Sequence, residues 1–436
     1  MRLVPAIAFS TLLAASVAAQ EAAIRFVPSA PDSRTPIEIR VGGFWGDGTF
    51  PRCASANVTG GTIVVVAGCR PPVGIQVPSA WSATSSVGPL PAGRYGVIVR
   101  LDDGRQLAFT TLIVRDANPP FTLTPNVGHG SLFDLVRINA PGFFVCSQGA
   151  TCGAPIVVFG GQAATVHGRG PDEVQVTPPS RDIPGTVDVE VRFDGRILRV
   201  ENAFHYASSL VADPAFFEPI LVPVYFKGPG AHGAQWQTEL SVRNDTEFPL
   251  TAVPDPLARA CFPICDPRLQ GGTTVKLRPG NDGLVTGYVF HIPRQASPNV
   301  QFHLLVRDES RQAEALGTEV PVVREGDLFE GTFRLLNVPT DERFRIDLRL
   351  YAVDRPATMR LVIRDMFAPD ILVSTEILSV PERLYLSNLR AMYPQIAASR
   401  SVRIDVEPVH AAAGRFWGFA SITNNDTQHV TVISPQ

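Results

Sequence analysis

Alternation of apolar and polar residues at every second position recurs along this chain and limits its fold more than any other feature. It is clearest in residues 187–193, 344–350 and 402–407. Such alternation buries one face of a strand and leaves the other in water, which is typical of antiparallel sheets in β-sandwiches. Turn sequences such as Asp102-Asp103-Gly104 and Asp194-Gly195 separate the strands at intervals typical of sandwiches. The sequence therefore predicts an all-β chain.

One segment has a helical pattern instead. Within residues 379–393, Pro381 stands near a first-turn position, and Tyr385, Leu389 and Met392 share one face at helical spacing. We expect a short helix over residues 379–393 that connects two strands and packs on a sheet edge.

Length and composition indicate several small domains. The chain has 436 residues, and its 36 glycines and 39 prolines imply many turns and few long helices. Breaks in the strand pattern fall at residues 115–120, after Tyr206 and near residues 324–327. The intervals are about 100 residues long, the size of one immunoglobulin-like sandwich. The sequence predicts a leader and then tandem immunoglobulin-like β-sandwiches, with bounds at residues 1–19, 20–117, 118–207, 208–325 and 326–436.

The charge balance excludes one class of partner. The chain has 38 Lys and Arg residues against 41 Asp and Glu residues, for a net charge of -3. Nucleic-acid binders usually carry a basic excess. We therefore expect no nucleic-acid partner.

The N-terminus has the pattern of a secretory signal peptide. Arg2 precedes an apolar run at residues 3–15, and the small residues Val17 and Ala19 stand before the expected cleavage point after residue 19. The alternatives are a buried strand or a membrane anchor, but the run is short for a span and polar sequence follows it. No later stretch has the roughly 18 apolar residues that a membrane helix needs. We expect a secreted, cell-surface or periplasmic chain without a membrane span.

The six cysteines form three local pairs, which is typical of disulfides in an oxidising compartment. A metal site is the alternative, but no pair has Cys-x-x-Cys spacing and no histidines stand at finger-like distance. We expect no metal site and three disulfides, which pair Cys53 with Cys69, Cys146 with Cys152, and Cys261 with Cys265.

Residues 119–206 resemble the IPT/TIG domain, an immunoglobulin-like fold. The resemblance rests on a series of short motifs in the family's order. They are Leu123-Thr124-Pro125, Pro141-Gly142-Phe143, Phe159-Gly160-Gly161-Gln162, Pro184-Gly185-Thr186 and Ala203-Phe204-His205-Tyr206. The glycine pair after Phe159 allows a tight hairpin with positive φ. The resemblance implies a sandwich of the kind found in exported bacterial proteins, and the basic loops of DNA-binding relatives are absent.

The flanking segments also resemble parts of exported bacterial proteins. The first unit looks like another immunoglobulin-like domain, in which Tyr95 follows a Pro-Ala-Gly turn and is placed to form a tyrosine corner. The half from about residue 218 resembles a β-rich module of uncharacterised secreted proteins. That resemblance implies an architecture and a compartment but no activity.

Catalytic signatures are missing from the sequence. It contains no Gly-x-Ser-x-Gly elbow, no His-Glu-x-x-His helix, no phosphate loop and no dinucleotide fingerprint. The eight histidines are scattered. The loop Asn281-Asp282-Gly283 is acidic but lacks the spaced ligands of a calcium loop. We therefore expect no catalytic residue and no cofactor, although an unrecognised hydrolase in the C-terminal half stays a third alternative.

Ligand contact is expected from aromatic residues and glycine-rich loops. Trp81, Trp236 and Trp417 are spread among the units as core residues would be. Phe44 and Trp45 stand in a glycine-rich loop, and His232 lies in a second one at residues 227–235. These three are the candidate ligand-binding residues. The sequence thus predicts an exported, non-enzymatic binding or adhesion scaffold whose partner is a protein or a glycan. The alternative is a carbohydrate-binding module that works beside an exported enzyme.

Overall fold

The computed structural model of the chain is nearly all β, as the alternation predicts. It describes residues 22–45, 51–68, 79–128, 135–146, 152–207, 212–250, 253–254, 269–279, 284–285, 287–311, 317–409 and 414–436. Within these residues the strands form four successive pairs of sheets, each pair with its own apolar core. The predicted fold class of tandem β-sandwiches is therefore confirmed. The leader at residues 1–19 lies outside the described residues.

The first sandwich packs one sheet, in the order β1-β2-β5, on another in the order β3-β4-β6-β7. Its core includes Ile39, Val65, Trp81 and Val97. The strands are β1 Ala23–Val27, β2 Ile37–Trp45, β3 Cys53–Thr59, β4 Thr62–Gly68, β5 Ser79–Val87, β6 Gly93–Leu101 and β7 Gln106–Val114.

The second sandwich packs the sheet β13-β14-β10-β8 on the sheet β12-β11-β15-β16-β9. In β15, Val187, Val189, Val191 and Phe193 are buried in alternation, which confirms the predicted pattern. The strands are β8 Thr122–Thr124, β9 Val127–Gly128, β10 Val136–Asn139, β11 Ile156–Phe159, β12 Gln162–Ala163, β13 Thr165–Arg169, β14 Glu173–Thr177, β15 Gly185–Phe193 and β16 Arg196–Tyr206.

The third sandwich packs the sheet β17-β23-β20 on a larger sheet that contains β22, β18, β19, β24 and β25, with β21 paired to β19. The segment at residues 227–235, expected to be a loop, belongs instead to a hairpin in which Lys227 lies opposite Gln237. The strands are β17 Phe217–Val222, β18 Tyr225–Pro229, β19 Gln235–Asn244, β20 Val253–Pro254, β21 Thr273–Leu277, β22 Leu284–Val285, β23 Tyr288–Pro293, β24 Val300–Asp308 and β25 Thr318–Val320.

The fourth sandwich packs the sheet β26-β31-β28-β29 on the sheet β30-β27-β32-β33. The strands and helix are β26 Phe333–Pro339, β27 Phe344–Ala352, β28 Ala357–Asp365, β29 Leu372–Val380, β30 Arg383–Leu386, α1 Leu389–Met392, β31 Ser401–Pro408, β32 Phe416–Asn424 and β33 Val430–Ile433.

Among the described residues of the third and fourth sandwiches, short 3-10 helices lie at Ala231–Gly233, Ser297–Asn299, Glu309–Arg311, Glu325–Asp327 and Pro394–Ala398.

The helix expected over residues 379–393 is mostly wrong. Its first half is the end of β29 and all of β30, and only Leu389–Met392 is α-helical. Leu384 and Leu386 pair with Leu350 and Leu348 of β27, so sheet pairing outweighs the local helical spacing.

Three local predictions can be compared with the structure. The Tyr95 hydroxyl donates a hydrogen bond to the Pro91 carbonyl at 2.9 Å, which confirms the tyrosine corner. Gly160 and Gly161 turn the hairpin between β11 and β12 with φ of 55° and 89°. Cys146 and Cys152 form a disulfide. Cys53 is also disulfide-bonded, whereas Cys69, Cys261 and Cys265 lie outside the described residues.

The third and fourth sandwiches share apolar packing. Tyr351, Trp417 and Phe419, from β27 and β32, belong to the core cluster of the third sandwich. The Tyr351 hydroxyl also donates a hydrogen bond to the Pro223 carbonyl. The two sandwiches are therefore joined by buried aromatic surface. In the parts of the chain that the structure describes, no helix is long and apolar enough to span a bilayer.

Candidate functional site

The outer face of the sheet β1-β2-β5 carries arginine and hydroxyl side chains. Arg25 lies opposite Arg40, which in turn lies opposite Thr84. Two residues along β2, Gly42 lies opposite Ser82. Because cross-strand partners share a face and neighbours along a strand alternate, all of these point away from the core of the first sandwich. The sheet therefore turns a polar, positively charged face outward.

Glu330 neutralises two arginines of this face. Its Oε1 lies 2.5 Å from Nη2 of Arg25, and its Oε2 contacts Nη1 of Arg40. Burial, with the charge of Arg415 acting in the same direction, lowers the pKa of Arg25 to about 10. Glu330 precedes β26, so one carboxylate fastens two strands of the first sandwich to the start of the fourth.

Glu325 is the second anchor, and it bonds to three of the sandwiches. Its Oε2 accepts a hydrogen bond from Nη1 of Arg294 at 2.5 Å, and its Oε1 accepts one from Nη1 of Arg415. The Ser29 hydroxyl donates to Oε1 at 3.4 Å. Burial alone would raise the pKa of Glu325, but the hydrogen bonds and charges of Arg294 and Arg415 outweigh it and lower that pKa. We call Glu325 with Ser29, Arg294 and Arg415 the Glu325 hub.

Arg415 is held on its other side by Asp354. Its Nη2 donates to Asp354 Oδ1 at 2.7 Å, its Nε lies 3.0 Å from Oδ2, and its backbone N–H donates to Oδ2 at 2.8 Å. Such two-pronged pairs combine charge with fixed geometry. Burial opposes ionisation of both groups, yet this pairing lowers the pKa of Asp354 and raises that of Arg415. Both side chains therefore stay charged at neutral pH.

A cavity of about 1090 Å³, which we call the junction cavity, lies beside these ion pairs. Its walls come from the first and second sandwiches, residues 212–215 and the fourth sandwich, with Glu325 at one side. Among the described residues, its lining carboxylates are Asp213, Glu325, Glu330 and Asp354. Among the same residues, its lining arginines are Arg25, Arg40, Arg94, Arg355 and Arg415.

Arg94 and Arg355 differ from the other lining arginines. Within the described part of the chain, neither forms an ion pair or a side-chain hydrogen bond. Arg94 is exposed on β6 and Arg355 is half-buried after β27. Burial lowers the pKa of Arg355, and the charge of Asp354 only partly offsets this effect. Among the residues that the structure describes, the cavity wall thus carries two cationic groups without an ion-pair partner.

His205 closes another side of the junction cavity. It is 5% exposed, its ring stacks on that of Phe216 with centroids 4.9 Å apart, and its Nδ1 lies 3.0 Å from the Thr186 hydroxyl. Burial lowers the pKa of His205, with Asp213 acting to raise it and Arg115 to lower it further. The imidazole is therefore neutral at pH 7 and packs as a buried ring.

The structure does not bring His232 to the cavity. This residue is exposed in the 3-10 turn Ala231–Gly233, with φ of 54°. Phe44 and Trp45 end strand β2, and their side chains, like the glycine-rich residues 46–50, lie outside what the structure describes. Their predicted role in ligand contact stays a prediction.

Tryptophan side chains mostly serve the cores. Trp81 and Trp417 are 2% and 3% exposed, which confirms the expectation that they are core residues. Trp236, at the start of β19, is half-buried. Among the described residues, no group of three or more His, Cys, Asp or Glu side chains is arranged to hold a metal ion. The calcium alternative at residues 281–283 lies outside the described residues.

Sequence reasoning missed the residues around the junction cavity. Arg25, Arg40 and Arg94 occupy positions that the strand alternation assigns to the solvent face, so nothing local marks them. The one available signal was the break at residues 324–327, which contains Glu325. Arg25 and Arg40 are partly buried because sandwiches far apart in sequence meet at Glu330, and a local pattern does not report that contact.

No family model matches the chain, and no curated protein matches it significantly. Among solved structures, the chain is similar to the plexin A4 full extracellular region, with 13% sequence identity and a TM-score of 0.18. The alignment covers 88% of this chain and 31% of the plexin A4 chain. The chain thus spans about a third of the plexin A4 region.

Two further structures are of proteins named SGBP-B. One is from a mixed-linkage glucan utilization locus of Bacteroides ovatus and is in complex with a heptasaccharide. It has 10% identity and a TM-score of 0.16, and the alignment covers 74% of this chain and 85% of that one. The other is from a xyloglucan utilization locus of Bacteroides uniformis, at 11% identity and a TM-score of 0.16, covering 95% and 98%. These matches assign the chain to no family.

Proposed function

We propose that this chain is an exported, non-enzymatic scaffold that binds a protein or a glycan at or near the cell surface. One observation carries the proposal: charged and aromatic contacts join sandwiches that are distant in sequence. The Glu325 hub bonds to the first, third and fourth sandwiches. Trp417 packs from the fourth into the third. Units fixed in this way hold their loops and shared cavity in one arrangement, which suits binding by a preformed surface.

Export and domain division are parts of the same proposal. The predicted signal peptide at residues 1–19 and the disulfide Cys146–Cys152 favour an oxidising compartment. We also propose the boundaries 20–117, 118–207, 208–325 and 326–436, with an IPT/TIG-like domain at 118–207. Four apolar clusters, one centred on each unit, support this division.

A carbohydrate-binding role is the second candidate, and the junction cavity favours it. Its volume is at the upper end of the range for small-molecule sites, and hydroxyl and guanidinium groups line it. Trp81 and Trp417 offer no stacking surface for a sugar, because both are buried. A sugar site would thus rely on polar groups rather than on these rings.

A combined screen of the mature full-length chain tests the proposal. It consists of a glycan array and a pull-down against cell-surface proteins, with Trp45→Ala as the variant and the exposed Phe109→Ala as its matched control. We expect one of the two arms to give a reproducible ligand. Mass spectrometry of that ligand after incubation with the purified chain should show that it is chemically intact. Glycan binding that Trp45→Ala abolishes and Phe109→Ala retains would favour the carbohydrate role through the predicted loop. No ligand in either arm, or conversion of the ligand to product, would contradict the proposal.

A further inference from the structure

The carboxylates of the junction cavity are already engaged by the protein. Glu330 contacts Arg25 and Arg40, and the Glu325 hub and Asp354 share Arg415. Asp213 Oδ1 accepts a hydrogen bond from the backbone N–H of Ala215 at 2.9 Å. Glu325, Glu330 and Asp354 are therefore each compensated by a guanidinium, and the charge of Asp213 interacts with Arg115.

Arg94 and Arg355 are left as the cationic groups without partners among the described residues. The half-buried guanidinium of Arg355 is partly removed from water, which is costly unless an anion is nearby. Guanidinium groups bind carboxylates through two parallel hydrogen bonds, so these arginines present donor pairs of the right geometry.

Hydroxyl groups complete the lining. Ser82 and Thr84 project from β5, and Thr111 lies on the exposed side of β7. A ligand that matches this lining carries carboxylates for the arginines and hydroxyls for the serine and threonines.

We propose that the junction cavity binds an acidic oligosaccharide, with Arg94 and Arg355 as the partners of its uronic-acid carboxylates. This inference rests on the proposed binding function and names the ligand class. Sugar hydroxyls bond to Ser82, Thr84 and Thr111, while Arg25, Arg40 and Arg415 stay committed to protein carboxylates and shape the cavity. Binding weakens as salt rises, because the attraction between charged groups is screened.

The test measures binding of defined oligosaccharides to the mature full-length chain by titration calorimetry. The probes are di- and trisaccharides of galacturonate, glucuronate and mannuronate, with maltotriose as the neutral sugar and triglutamate as the acidic peptide. The variants are Arg94→Gln and Arg355→Gln. Arg100→Gln is a matched control, because Arg100 is an exposed arginine of the same strand and side as Arg94 but lies outside the cavity lining. Arg400→Gln, another exposed arginine outside that lining, is the control for Arg355.

We expect at least one uronic-acid probe to bind more tightly than maltotriose and triglutamate. Loss of one charge-assisted pair should weaken that binding by about tenfold or more in Arg94→Gln and Arg355→Gln. The two control variants should stay within about twofold of the parent, since a distant exposed charge contributes little. All four variants should melt like the parent, since none of the four arginines has a partner to lose among the described residues.

Other results would overturn the inference in separable ways. Tighter binding of triglutamate or maltotriose would reject the ligand class. Uronic-acid binding that both cavity variants retain would reject the site while leaving the proposed binding function in place. If no acidic sugar binds but the screen finds a protein or a neutral glycan, the inference is rejected and the proposed binding function stands. Failure of the screen itself would reject the proposed function.

Discussion

Arg25 and Arg40 lie directly opposite each other on neighbouring antiparallel strands, and the carboxylate of Glu330 contacts both. Like charges in directly opposed positions destabilise a sheet. A single anion from the start of the fourth sandwich removes this repulsion and joins two distant parts of the chain. The positive face of β1 and β2 is thus a docking surface within the molecule.

Replacing Glu330 by Gln should loosen this docking. The three side chains are 29% to 39% exposed, so we expect a loss of only about 1 kcal/mol in the free energy of unfolding. Hydrogen exchange of β1 should rise along with it. Glu342→Gln, at an exposed glutamate outside the cavity lining, is the control and should change neither quantity. Unchanged exchange in β1 would show that the contact does not hold the strand.

Replacing Glu325 by Gln should cost more. Its partners Arg294 and Arg415 are 19% and 13% exposed, and the substitution removes the anion that these two partly buried cations share. We expect about 2–4 kcal/mol of destabilisation in chemical denaturation. Glu319→Gln, at a side chain that is 68% exposed, should cost less than about 0.5 kcal/mol. Equal effects of the two substitutions would contradict the role of the hub.

Acid should weaken the same contacts. The folded chain lowers the pKa of Glu325 below 4.5 and that of Asp354 below 3.8, so at low pH the unfolded chain binds more protons. Their contribution is fully present above about pH 4.5 and is lost as the pH falls through the folded pKa values. Urea midpoints measured from pH 7 to pH 3 should therefore fall steeply below about pH 4.5. The urea midpoint of Glu325→Gln should fall less over this pH interval than that of the parent. An equal fall in the two chains would contradict the role of Glu325 in the acid sensitivity.

The tyrosine corner gives a prediction confined to the first sandwich. Tyr95→Phe removes the hydrogen bond to the Pro91 carbonyl at 2.9 Å and should destabilise that sandwich by about 1 kcal/mol. Tyr206→Phe removes a similar bond to the Pro179 carbonyl at 3.0 Å in the second sandwich. Hydrogen exchange should rise in the first sandwich for Tyr95→Phe and in the second sandwich for Tyr206→Phe. Loss of protection in the same sandwich for both would disagree with the two separate cores.

Trp417 tests the shared packing of the third and fourth sandwiches. Trp417→Ala should cost about 3–5 kcal/mol and lower hydrogen-exchange protection in both. Leu361→Ala removes a buried side chain of the fourth core alone and is the control. Protection in β17 and β23 should fall in the first variant and stay in the second. A Trp417 variant that affects the fourth sandwich alone would contradict the shared core.

The sequence predicted the class of fold well because strand alternation and turn residues are local signals. The buried set Val187, Val189, Val191 and Phe193 and the Tyr95 corner both follow from positions a few residues apart. The helix expected at residues 379–393 failed because sheet pairing with β27 is a distant contact that local spacing does not report.

The candidate site was less predictable, for a related physical reason. Alternation marks Asp347 and Asp405 as solvent-facing, yet they are 6% and 5% exposed. Arginine side chains contact Asp405, and the backbone N–H of Asn388 donates to Asp347. Arg25 and Arg40 are likewise ordinary polar positions until Glu330 of the fourth sandwich contacts them. A one-dimensional pattern reports which side of a strand is polar but does not report what that side contacts.

Small-angle X-ray scattering of the mature chain tests the central claim that the sandwiches form one rigid scaffold around Glu325. The wild-type profile should fit a single arrangement of the units at neutral pH. The double variant Glu325→Gln, Glu330→Gln should show a larger radius of gyration and a profile that requires several arrangements. A wild-type profile that already requires variable separations, or a double variant that scatters like the wild type, would contradict the account.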